Sequence, residues 1–106
     1  MPENTMKAAH IALWDWLCRN PGKWKRYWPG WMENGGKFFA GNFCFACAFA
    51  GFDEYADPRC ENCPLDQSVM RGCRQHTESA YIRWEKATDP ESRAKCAAMI
   101  RDAWVR

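Results

Sequence analysis

The chain has 106 residues, an apolar fraction of 47% and a charged fraction of 26%, the composition of one small globular domain rather than a disordered tail. Its formal charge of +2 is too small for global attraction to nucleic acid, and no run of about 18 apolar residues is present to span a membrane. The first residues lack the basic stretch and apolar core of a secretory signal, so a reducing cytoplasm is expected, where clustered cysteines usually serve metal.

In chain order, the first predicted element is a helix over residues 5–19. Thr5 is placed as its N-cap, and Met6, Ala9, His10, Leu13, Trp14 and Leu17 recur at the spacing of one buried stripe. Asn20-Pro21-Gly22 stops it, since Pro disfavours helical backbone in the residue before it. Residues 23–32 are dense in aromatics and bases. Residues 37–50 are expected to hold a short strand leading into the first cysteine pair.

One or two helical turns are expected over residues 64–71, with Pro64 at the first helical position. Two helices then close the chain. One is expected over residues 78–87. The other has Asp89 as N-cap, Pro90 at its first position and Glu91 in its first turn, and it presents Cys96, Ala97, Ile100, Ala103 and Trp104 as an apolar face. The expected fold class is therefore mainly α: a single domain over residues 1–106, with a helix plus aromatic/basic segment over 1–43, a Cys-rich centre over 44–73 and a helical pair over 74–106.

Seven cysteines is an odd number, so they cannot all pair within the chain. Cys44-x-x-Cys47 and Cys60-x-x-Cys63 are two pairs with twelve residues between them. A two-residue gap lets each pair wrap two thiolates round one ion, and two pairs complete a tetrahedral site at Zn–S of about 2.3 Å. The expected ligands of one structural Zn2+ are Cys44, Cys47, Cys60 and Cys63, with Cys73, or His76 three residues beyond it, as a substitute. Four thiolates leave no open position for Lewis-acid chemistry, so the metal is read as a folding element. If Pro64 opened a helix, Cys63 would sit at its N-terminus, which favours thiolate. That layout is treble-clef-like, with a zinc ribbon as the related option. Cys18 and Cys96 fall within helical patterns and are read as small buried apolar groups.

The residues Leu13 to Leu17, Cys44, Cys47, Cys60, Cys63, Pro64, Leu65, Cys73, Tyr81, Trp84 and the helix around Ala97 to Ile100 make an order that resembles small, Cys-rich zinc-binding proteins of bacteriophages and prophages. The resemblance covers most of the chain. It implies a phage origin, a zinc-stabilised fold and residence in the cytoplasm of a bacterial host. It implies no set activity, since such proteins include inhibitors of host defence.

Two surfaces compete for a partner. Residues 44–73 carry five acidic against two basic side chains, and Asp53, Glu54, Tyr55 and Asp57 lie in the loop between the cysteine pairs. Aromatic anchors beside charge are common at protein interfaces, so this loop is the expected contact with a host protein. Trp24, Lys25, Arg26 and Trp28 offer the alternative, a nucleic-acid surface in which bases stack on rings and cations meet phosphates, joined by Arg83, Lys86 or Arg93. Packing of Trp24, Trp28 and Trp31 as core is the plainer reading of the same spacing. A small-nucleotide sponge using Trp and Arg is a third option. Zinc thiolate adds about −2, which takes the net charge near zero and counts against nucleic acid.

No catalytic constellation emerges. His76-Thr77-Glu78 copies one step of the zinc deaminases, but there the Cys pair follows the His and here both pairs precede it. Gly35-Gly36 lacks the Lys and spacing of a phosphate loop. The sequence thus reads as a non-enzymatic phage accessory protein that binds and modulates a host protein.

Overall fold

The computed structural model describes residues 3–30, 63–71 and 77–105. These residues are mainly helical, and no strand occurs among them. The helices are α1 (Glu3–Arg19), α2 (Gln67–Met70), α3 (Ala80–Lys86) and α4 (Pro90–Arg101), with a 3-10 turn at Lys25–Tyr27. The expected strand over residues 37–50 lies outside the described residues.

Helix α1 begins at Glu3, ahead of Thr5, which is therefore inside the helix rather than its cap. Its C-terminus follows the sequence: the Asn20 backbone N–H and side-chain amide both donate to the Trp16 carbonyl, each at 2.9 Å, and Pro21-Gly22 turns the chain away. Of the expected stripe, Ala9, His10, Leu13, Trp14 and Leu17 are buried and Met6 is half-buried against them.

Helix α3 is capped by Ser79, whose hydroxyl accepts from the Ile82 N–H at 3.1 Å. Asp89 caps α4 by accepting from the Ser92 N–H at 2.8 Å, with Pro90 at the first position, where its missing N–H has no helical partner to lose. Cys96, Ala97 and Ile100 are buried on α4. Ala103 and Trp104 are buried too, although the helix has ended at Arg101.

Helix α1 packs along α4, and α3 also packs on α4. Ala9, Ala80 and Ala97 are small side chains buried in the core these helices share. Trp14 of α1 meets α3 edge-on, 4.9 Å from the Trp84 ring centroid and 6.0 Å from Tyr81. Such perpendicular ring pairs contribute about 1 kcal/mol beyond their buried area. Two polar contacts also tie α1 to α4: Arg101 Nη1 lies 2.9 Å from Asp15 Oδ1, and the buried His10 Nε2 lies 2.8 Å from the Ile100 carbonyl.

The segment after Cys63 departs from expectation. Leu65 forms an isolated antiparallel bridge with Trp104, in which the Asp66 N–H donates to the Ala103 carbonyl at 2.7 Å and the Val105 N–H to the Pro64 carbonyl at 3.0 Å. This pairing holds residues 64–66 out of a helix. The turn of helix therefore starts later, at Gln67, with Asp66 rather than a residue before Pro64 as its cap. Asp66 accepts from the Ser68 N–H at 3.0 Å and from its hydroxyl at 2.6 Å. Arg71 then ends α2 in the left-handed region at φ 46°.

Candidate metal centre and a buried cation corner

Of the expected metal ligands, Cys44, Cys47 and Cys60 lie outside the described residues, as do the substitutes Cys73 and His76. Cys63 is described. It is half-buried and packs against the apolar core. It precedes Pro64 and the bridge to Trp104, so it does not stand at a helix N-terminus, and the dipole argument for its thiolate falls away. What the fold supplies instead is position: two backbone hydrogen bonds fasten the residues just after Cys63 to the C-terminal segment. Among the described residues, no group of three or more His, Cys, Asp or Glu side chains stands close enough to hold an ion. Cys96 is buried and Cys18 half-buried against the core.

The expected partner loop, Asp53, Glu54, Tyr55 and Asp57, is outside the described residues. The alternative surface is partly described. Trp24 is 43% exposed, while Lys25 is 3% exposed and Trp28 8% exposed within the core cluster. The Arg26 side chain and Trp31 are not described. Arg83 and Lys86 are exposed, but Arg93, expected to extend a basic face, is buried.

The burial of Arg93 has a geometric basis. Trp24 and Trp84 stand nearly perpendicular, 78° between planes and 5.3 Å between centroids. The Arg93 guanidinium carbon lies in the angle between them, 4.1 Å from the Trp24 ring and 4.6 Å from the Trp84 ring. Its Nη1 donates to the Pro21 carbonyl at 2.9 Å, which docks the turn after α1 onto the start of α4. Nearby, the Lys25 ammonium sits 4.8 Å over the Tyr81 ring, itself 5.8 Å from Trp84. Cations over indole faces gain electrostatically from the ring quadrupole, more so when water is excluded. Burial pulls the Arg93 pKa below its usual value, yet a guanidinium starts so high that it stays charged.

The sequence carried a signal for this corner. Arg93, Cys96, Ala97 and Ile100 follow the i, i+3, i+4, i+7 spacing of one helix face, so the register placed Arg93 on the buried side. His10 sits likewise on the buried stripe of α1. Burial pushes its pKa down to about 4, with the hydrogen bond to Ile100 opposing part of that shift. The neutral imidazole holds α1 to α4 through the Ile100 carbonyl.

An open groove of about 320 Å³ lies between α2, α3 and α4, lined by Ser68, Val69, Arg71, Glu78, Arg83 and Met99. Arg71 and Glu78 approach to 3.4 Å there, so its rim carries both signs of charge. No described helix is long and apolar enough to cross a membrane.

The class these features define is a small, mainly helical domain with a buried cation–aromatic corner. No protein-family model matches the chain, and no match is found among the curated proteins or the solved structures.

Proposed function

We propose that the chain is a non-enzymatic phage accessory protein, stabilised by one structural Zn2+ on Cys44, Cys47, Cys60 and Cys63, that binds a bacterial host protein and alters its activity. The observation that carries this reading is the anchoring of Cys63. The bridge between Leu65 and Trp104 ties the last cysteine of the second pair to the helical body, so a metal on the two pairs would fasten the Cys-rich centre to the core. A tether of that kind suits a loop offered for binding, and the loop it would hold carries Asp53, Glu54, Tyr55 and Asp57. The burial of Lys25 and Trp28 leaves the nucleic-acid alternative with little described surface.

Metal analysis of the purified full chain should give one zinc per chain, and chelation should lower the melting temperature sharply. Cys63→Ser should do the same, whereas Cys18→Ser should keep the metal. A tagged chain should retain one bacterial protein from host lysate, and replacing Asp53, Glu54 and Asp57 with Ala should release it without loss of zinc. A metal-free chain that melts no lower than the purified one refutes the zinc. Retention of nucleic acid in place of a protein refutes the partner.

A further inference from the structure

We propose that the Nε–Nη2 edge of Arg93, beneath the Trp24 indole, is a binding site for the phosphate of a small phosphorylated ligand such as a nucleoside monophosphate. A guanidinium has five N–H donors and no acceptor, and the Nε and outer Nη atoms together form the two-donor edge that meets an oxyanion bidentately. In Arg93 that edge is unmet. Nη1 is used on the Pro21 carbonyl, while Nε and Nη2 are both buried and without a hydrogen-bond partner. The Trp84 indole N–H, on a ring 4.6 Å from the guanidinium, is also buried and unmet. The corner therefore holds donors in excess of acceptors. No carboxylate among the described residues pairs with Arg93.

A buried donor left unmet is costly, more so on a charged group, so the corner is poised for a ligand that brings acceptors and negative charge. The aromatic surroundings favour a phosphorylated ligand that carries a base over a bare carboxylate. The cover is also thin and aromatic: Trp24 is 43% exposed and Tyr27, three residues on, is 55% exposed. Rotation of the Trp24 ring would uncover the edge, and an indole and a phenol at the surface suit a base attached to the phosphate.

The test uses the intact, metal-loaded chain. The Arg93 Nε–H signal is followed by NMR while AMP, inorganic phosphate or acetate is added. Saturable movement of that signal with AMP and phosphate, with acetate weaker, is expected. Tighter binding of AMP than of phosphate assigns a contribution to the base, and equal binding assigns the site to the phosphate group alone. Arg93→Lys keeps the charge but loses the two-donor edge, so AMP should bind it about tenfold more weakly. Trp24→Ala uncovers the edge at an exposed position, so inorganic phosphate should bind it at least as tightly. An Arg93 signal that moves with none of the three anions overturns the proposal, as does AMP binding to Arg93→Lys at wild-type affinity.

Discussion

Acid should weaken this fold through His10 before it reaches the carboxylates. His10 is 1% exposed, its Nε2–H donates to the Ile100 carbonyl at 2.8 Å, and its ring lies 5.5 Å from that of Trp104. The proton is placed on Nε2 because the partner is a carbonyl, which only accepts. A second proton would put a charge where burial excludes water, and this is why the pKa falls from 6.5 to about 4. Above pH 6.5 both folded and unfolded chains hold His10 neutral, and its contribution to stability is complete. Between pH 6.5 and about 4 the unfolded chain takes up a proton that the folded chain refuses, so stability declines by about 1.4 kcal/mol per pH unit. Below about pH 4 both states are protonated and the decline stops, after a loss of about 3 kcal/mol in all. The carboxyls of Asp66, Asp89 and Asp102 are each held below their usual value by hydrogen bonds, so their contributions are lost at more acid pH than this window. Urea unfolding of the wild type and of His10→Gln from pH 7.5 to pH 4.5, at constant ionic strength, isolates the effect. Gln keeps a donor for Ile100, and other titrating groups are common to both proteins. The difference in unfolding free energy should shrink toward acid by most of that 3 kcal/mol. A difference that stays flat across the range would refute the burial argument.

Two further substitutions probe the packing and the caps. A Cβ at Gly30 would overlap atoms of the Trp28 ring, so Gly30→Ala must displace a buried indole and should cost about 1–3 kcal/mol in thermal or urea unfolding. Asp89→Ala removes the acceptor for the Ser92 N–H and should cost about 1 kcal/mol, while Asp89→Asn should recover most of it.

What local sequence announces about this fold depends on range along the chain. Asp89, Pro90 and Glu91 announced α4, and Asn20-Pro21-Gly22 ended α1 as read, because caps and stops are settled by hydrogen bonds and dihedrals within a few residues. The stripe of α1 was legible for the same reason, since a helix repeats its buried face every few positions. Pro64 was misread because the bridge that holds it extended comes from Trp104, forty residues away, and nothing local reports it. Of the candidate metal ligands, Cys44, Cys47 and Cys60 lie outside the described residues, and Cys63 is half-buried against the core.

By itself, the sequence determined the helical class, the position of one cap and one stop, and which face of α1 and α4 goes inward. All of these follow from backbone rules that act locally. Only the tertiary structure decided which rings the cations meet. Lys25 was expected on a solvated face and Arg93 as an extension of a basic patch, although its register on α4 matches the buried positions, and both are buried against aromatic rings. The physical reason is that a cation's place depends on which rings surround it. The rings around Arg93 arrive from residues 24 and 84, brought together only when α1, α3 and α4 pack.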